Sequence, residues 1–178
     1  MTSEQVRHED IVSAVKSATR DVFSTMLNLP LEVGGALEEA SEPDSFDGVV
    51  ALVGIGGSWT GSGRISCSPR FACRLAGALL TASYHAVNED VLDAVGETAN
   101  MIIGNVKTIF EERLGLLGLS VPTVIFGRNY RTRSSGVRRW TVVVFECGDE
   151  TMEVRFCLMP ARLQPRPAAR GEVLQPAS

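Results

Sequence analysis

The sequence predicts an α+β fold in which an antiparallel or mixed sheet of six strands carries long helices on one face. Three observations lead there. Apolar residues recur at helical spacing in two long segments, six short runs read as strands, and the later strands follow one another through short turns, which favours antiparallel pairing over long parallel crossovers. At 178 residues, with 44% hydrophobic and 21% charged residues, the chain fits one domain with one sizeable core, excluding disordered and collagen-like classes.

The first helix is expected from about Glu9 to Leu27, because Ile11, Val15, Ala18, Val22 and Met26 draw one stripe along it; Asn28 and Pro30 end it. A strand at Leu31–Leu37 comes next, then an acidic loop from Glu38 to Asp47. Gly48–Gly56 (GVVALVGIG) has the length and apolar character of a buried strand, and Arg64–Ser68 alternates, so the glycine-rich Gly57–Gly63 between them reads as the turn of a hairpin. Pro69 suits a first helical turn, and Phe71, Leu75, Ala78 and Leu79 support a short helix to about Leu80. Glu89–Arg113 predicts a long core-facing helix, with Leu92, Val95, Ala99, Ile102, Ile103, Val106, Ile109 and Phe110 on one side. After Gly115 and Gly118, three strands are expected at Leu119–Gly127, Arg138–Cys147 and Thr151–Met159. The domain spans 1–159, and the Pro-, Ala- and Arg-rich 160–178 reads as a disordered tail. A helix-then-strands order thus occurs twice, which suggests two pseudo-duplicated halves.

Charge narrows the partners. The net charge is −4, which gives no global attraction to nucleic acid or anionic lipid, and no apolar run is long enough to span a membrane. The distribution is uneven: ten acidic and three basic residues precede residue 51, whereas Arg128 to Arg170 holds nine basic and four acidic. Within that stretch the hairpin Arg128–Arg139 (RNYRTRSSGVRR) is strongly basic. Cys67, Cys73, Cys147 and Cys157 show no C-x-x-C spacing, and His8 and His85 stand at no zinc-ligand spacing from them, so the thiols are read as reduced and buried in a cytoplasmic protein.

GIGGSWTGSG invites a phosphate-loop reading, but it lacks the Walker lysine and completes no G-x-G-x-x-G. Ser62 lies in T-G-S-G rather than a nucleophile elbow, and His85 has no partner motif. The constellation that can carry chemistry is on the long helix. Asp93, Glu97, Asn100 and Gly104 face away from its apolar stripe, and a separation of three places Glu97 and Asn100 about 60° apart around the axis and about one turn along it. Asn is a poor interior helix former and Gly104 costs about 1 kcal/mol relative to Ala, a cost that a role at this position would compensate. A glycine beside a carboxylate and an amide lets another backbone come close. From helix physics alone, the same residues also fit a solvated face with no further role.

The stretch Asp93–Lys107 (DAVGETANMIIGNVK) closely resembles the signature helix of the CheX chemotaxis phosphatases, within the wider CheC, CheX and FliY group. The likeness includes the E-x-x-N core, the following G-N-x-K, and Ser120–Gly127 (SVPTVIFG), which is similar to the strand after this helix in the family. Val22–Leu27 on the N-terminal helix and the glycine-bounded hairpin extend it over roughly Glu9 to Met159. The resemblance implies a CheC-like fold and removal of phosphate from the phosphoryl-aspartate of a CheY-type response regulator, with Glu97 and Asn100 as the site and Asp93 and Gly104 as partner contacts. Acyl-phosphate hydrolysis needs a water held in line with phosphorus. The Asn100 amide can accept a hydrogen bond from that water without adding negative charge, whereas a carboxylate there is repelled, so Glu97 is expected to pair with a regulator cation such as its active-site lysine. Magnesium is expected in the regulator, and the phosphatase itself is expected to carry no cofactor.

CheC-type members carry a second E-x-x-N on the N-terminal helix; here that position reads Val15–Arg20 (VKSATR). The single motif points to the CheX-like branch, for which the resemblance implies a homodimer joined sheet edge to sheet edge. A non-catalytic module that binds a regulator or scaffolds a signalling complex is the alternative function. The basic hairpin is read as a solvated turn, with an acidic surface of the regulator as its first alternative partner and nucleic acid, which a strongly salt-dependent DNA shift would reveal, as its second.

Overall fold

The structure, a computed structural model, describes residues 6–40, 45–131 and 139–161. Among these the chain runs α1 (His8–Val22), β1 (Glu32–Glu39), β2 (Phe46–Gly57), β3 (Trp59–Cys67), α2 (Pro69–Leu80), α3 (Glu89–Leu114), β4 (Leu117–Leu119), β5 (Thr123–Tyr130), β6 (Trp140–Cys147) and β7 (Glu150–Pro160). All strands join one antiparallel sheet in the order β1-β6-β7-β3-β2, with β4 and β5 both paired to the far edge of β2. The sheet has seven strands where six were expected, because the expected strand Leu119–Gly127 is divided. Leu117–Leu119 pairs Gly57–Ile55 and Thr123–Tyr130 pairs Leu52–Phe46, while Pro122, which has no N–H to donate to a ladder, lies between them.

The pseudo-duplication is visible in the pairing. The hairpins β2–β3 and β6–β7 meet at a central seam where β3 pairs β7, with Arg64 opposite Arg155. Strand β1 of the first half then adds to β6 of the second, and β5 of the second half adds to β2 of the first. Helix α1 precedes β1 as α3 precedes β4 and β5.

The three helices cover one face. Val49, Ala51, Val53 and Ile55 of β2 alternate inward as a strand dictates, and they share one core with Val143 and Phe145 of β6, Val154 and Phe156 of β7, and the helix stripes. Phe110 of α3 stacks on Phe156 with ring centroids 6.2 Å apart. On α1, Ile11, Val15, Ala18 and Val22 are buried as the stripe predicts, but Met26 is 53% exposed. The last turn, Phe23–Leu27, is π-helical; its wider winding shifts the phase so that Phe23 and Leu27 point inward instead, and Asn28 with φ +49° stops it.

The other sequence expectation to be corrected is Gly57–Gly63 as a turn. Only Gly57, at φ +145°, and Ser58 make the reversal; β3 begins at Trp59 and contains Gly61 and Gly63. Both glycines are there for space. A Cβ at Gly61 would overlap the Cys157 carbonyl oxygen, and one at Gly63 would overlap the Ile103 side chain of α3. The strand therefore lets the long helix settle directly onto the sheet. Four of the basic hairpin's arginines flank or enter residues 132–138, which lie outside the described residues, as does nearly all of the expected tail (162–178). Arg139 reaches Glu38 of β1 at 3.7 Å.

Candidate functional site on α3

The helix that presents the candidate residues is capped and anchored at both ends. Asn88 Oδ1 accepts the Val91 N–H at 3.0 Å, and Glu89 and Asp90 occupy the first turn, where the helix dipole favours negative charge. At the other end Lys107 Nζ lies 2.7 Å from the Glu111 carboxylate and donates to the Leu117 carbonyl at 3.2 Å, while Glu111 Oε1 accepts the Leu117 N–H at 2.8 Å. Lys107 holds the Glu111 carboxyl below the usual carboxylate range, with the Leu117 N–H adding to the effect. This exchange ties α3 to β4. Its signal in the sequence is the i,i+4 spacing of Lys107 and Glu111, which the reading above did not use.

Between those anchors the buried side of α3 comprises Val91, Val95, Ala99, Ile102, Ile103, Val106 and Phe110, whereas Ile109, expected on that side, stands at its margin and is 44% exposed. Asp93 and Glu97 are exposed, and Asn100 and Gly104 are half-buried. All four thus stand on the outward side, as the helical period predicts. Thr98 turns its hydroxyl back onto the Ala94 carbonyl at 2.9 Å and is buried, so it takes no part. Among the described residues, neither the Glu97 carboxylate nor the Asn100 carboxamide has a side-chain hydrogen-bond partner. An amide with donor and acceptor both unengaged, one turn from a free carboxylate, is equipped to bind a visiting polar group.

The second wall of the site is the corner between β4 and β5. A Cβ on Gly96 would come 3.0 Å from Val124 Cγ2 and 3.6 Å from Pro122 Cγ, and one on Gly104 would come 3.6 Å from Leu119 Cδ1. Asn100 lies one turn from each glycine, so the corner runs alongside it. Sequence reasoning singled out Gly104 but missed Gly96, whose neighbours are remote in the chain. The outward side of α1, which occupies the pseudo-equivalent place, carries Ser13, Ser17 and Arg20 and no second Glu–Asn pair.

The remaining chemistry-bearing residues are engaged or isolated. His8 Nδ1 sits 2.9 Å from Thr141 Oγ1, and His85 is exposed in the α2–α3 connection. All four cysteines are buried, and burial pushes the Cys67 thiol up to about 12. Among the described residues, no group of three or more His, Cys, Asp and Glu side chains is arranged to hold a metal ion, and no helix is long and apolar enough to cross a membrane.

Residues 49–146, which contain the Glu97–Asn100 pair and the β4–β5 corner, match the family model of the chemotaxis phosphatase CheX. The chain belongs to the CheX family. Within it, the chain is 31% identical over 130 residues to the CheY-P phosphatase CheX of Thermotoga maritima, a span covering 71% of this chain and 82% of that one. A chemotaxis protein CheX from Desulfovibrio desulfuricans shares the CheX fold with a TM-score of 0.73 at 26% identity, over 84% of this chain and 99% of the other. The fold also matches a chain of the CheX–CheY–BeF3–Mg2+ complex from Borrelia burgdorferi, with a TM-score of 0.68 at 22% identity over 86% and 99% of the two chains.

Proposed function

We propose that this CheX-family chain removes phosphate from the phosphoryl-aspartate of a CheY-type response regulator, with Asn100 orienting the attacking water and Glu97 docking the regulator. The observation that carries the reading is the outward pair itself: an unengaged carboxamide and an exposed carboxylate, one turn apart on a helix locked at both ends. The Thermotoga relative, called a CheY-P phosphatase, and the Borrelia complex, which joins CheX to CheY with BeF3 and Mg2+, support the choice of substrate.

In the reaction, the water oxygen forms a bond to phosphorus as the bond between phosphorus and the aspartate oxygen breaks, yielding inorganic phosphate and a free carboxylate. The Asn100 carbonyl oxygen accepts a hydrogen bond from the water and holds it in line, a positioning role that needs no proton transfer to the protein. Glu97 pairs with a cation of the regulator, which fixes the angle at which α3 enters. Magnesium is assigned to the regulator, whose own phosphorylation site it serves. The same reading puts the protein in the cytoplasm, takes 1–159 as the catalytic unit, and has two copies joined edge to edge, for which β1 and β5 offer edges that are unpaired among the described residues.

The test follows phosphate loss from a panel of phosphorylated CheY-type regulators with wild-type protein, Asn100→Ala and Glu97→Ala. Asn100→Ala is expected to return turnover to the spontaneous rate while binding persists, and Glu97→Ala to act mainly through KM. A wild-type protein that leaves every regulator at its spontaneous rate while still binding one would replace the phosphatase by a non-catalytic interaction module.

A further inference from the structure

The corner between β4 and β5 is held by three hydrogen bonds at Ser120. The Ser120 N–H donates to the Gly54 carbonyl at 2.9 Å, the Gly54 N–H donates to Ser120 Oγ at 2.8 Å, and the Ser120 hydroxyl donates to the Val121 carbonyl at 2.9 Å. Pro122 then fixes the next φ. On this stiffened corner Val121 is 84% exposed. A lone exposed apolar residue is ordinary; one held out on a braced corner beside an unengaged polar pair is not. Leu119 lies against Gly104 and Pro122 against Gly96, with Asn100 between the two glycines, so Val121 belongs to the segment that flanks Asn100.

Charge decides between occupants. The exposed residues of α3 on this side and at its start are Glu89, Asp90, Asp93 and Glu97. A second copy of the chain seated here about a two-fold axis would set these acids against their equivalents, whereas a partner with cations around an apolar depression is complementary. We propose that Val121 is an apolar anchor for the regulator, entering a depression beside its phosphorylated carboxylate while the acidic side of α3 meets its cations. The inference rests on the phosphatase reading of the same helix and adds what selects the regulator. Because the corner is braced beforehand, docking on it loses little conformational entropy.

The experiment compares Val121→Ser, Val121→Ile and Leu116→Ser with wild type. Leu116 is 88% exposed but follows the end of α3 at Leu114, which lies about 21 Å along the helix from Asn100 at 1.5 Å per residue, and it serves as the control. Dissociation constants for the beryllofluoride- and Mg2+-loaded form of each CheY-type regulator are measured beside KM and kcat on the phosphorylated form. Val121→Ser is expected to raise both Kd and KM about tenfold with kcat within about twofold, while Val121→Ile and Leu116→Ser stay near wild type. Melting temperatures should not move, since the valine is already in water. Unchanged Kd and KM in Val121→Ser, with wild type active, would overturn the anchor and leave the phosphatase standing. Wild-type binding without turnover, weakened by Val121→Ser, would support the anchor and remove the catalysis. No binding to any regulator would overturn both, and a Val121→Ser protein that loses self-association but binds regulators normally would assign the corner to a second copy instead.

Discussion

Gly104→Ala separates what the fold needs from what a partner needs. Glycine in the interior of an exposed helix costs about 1 kcal/mol relative to alanine. Among the described residues nothing requires it: a Cβ at position 104 would meet Leu119 Cδ1 at 3.6 Å, an ordinary van der Waals contact. The variant is therefore expected to be more stable by about 1 kcal/mol, a rise in Tm of about 2–4 °C for a domain of this size. Yet the added methyl group stands on the outward side one turn beyond Asn100, where a docked regulator's backbone would approach. The same variant should raise KM for the phosphorylated regulator and lower kcat/KM several-fold. Differential scanning calorimetry and a continuous phosphate-release assay read the two effects separately. Gly63→Ala supplies the contrast, because its Cβ would overlap Ile103 beneath α3; overpacking of that kind costs about 1–3 kcal/mol, so here stability should fall. A Gly104→Ala protein with wild-type KM and kcat would refute close approach at this turn. A lowered Tm would refute the reading of open space.

Two further outcomes concern the anchors of α3. Asn88→Ala removes the 3.0 Å acceptor for the Val91 N–H and should cost about 1 kcal/mol, seen as a Tm lower by about 2–4 °C; an unchanged Tm would mean the cap contributes nothing. Glu111→Gln bears on pH. The Glu111 carboxyl is lowered in the folded state by Lys107, so its stabilisation is present above the unfolded carboxylate pKa and lost as pH falls through the folded value. Glu111→Gln should therefore melt below wild type at pH 7, with the gap closing as pH drops from about 5 to below about 4; a gap independent of pH would place the effect elsewhere.

Long-period features were legible in the sequence. The Glu89–Arg113 stripe gave α3 to within one residue at its C-terminal end, and the 100° period alone placed Asp93, Glu97, Asn100 and Gly104 outward. Pro69 marked the start of α2 for a local reason, since the helix's first turn tolerates its missing N–H. Where the reading failed, the deciding contact was remote. Gly61 and Gly63 look like turn residues until Cys157 and Ile103 are seen against them, and the corner between β4 and β5 at Pro122 is held by Gly54 exchanging hydrogen bonds with Ser120, 66 positions away. Met26 was misplaced because a single wide turn changed the phase of a stripe that is regular up to Val22. In the site, residue types and their side of the helix were readable; that the Asn100 amide is left unengaged was not, because that depends on every neighbour in space.

Each half of the sheet lends its first strand to the other, and this has a consequence during synthesis. β1 leaves the ribosome long before β6, its only neighbour among the described residues, because Glu32 waits for Glu146 and Glu39 for Trp140. Until then it is an orphaned ribbon with open hydrogen-bonding groups on both sides. Glu32, Glu38 and Glu39 along it set like charges against any second copy of the same strand, which disfavours edge-to-edge pairing of two unfinished chains before β6 arrives.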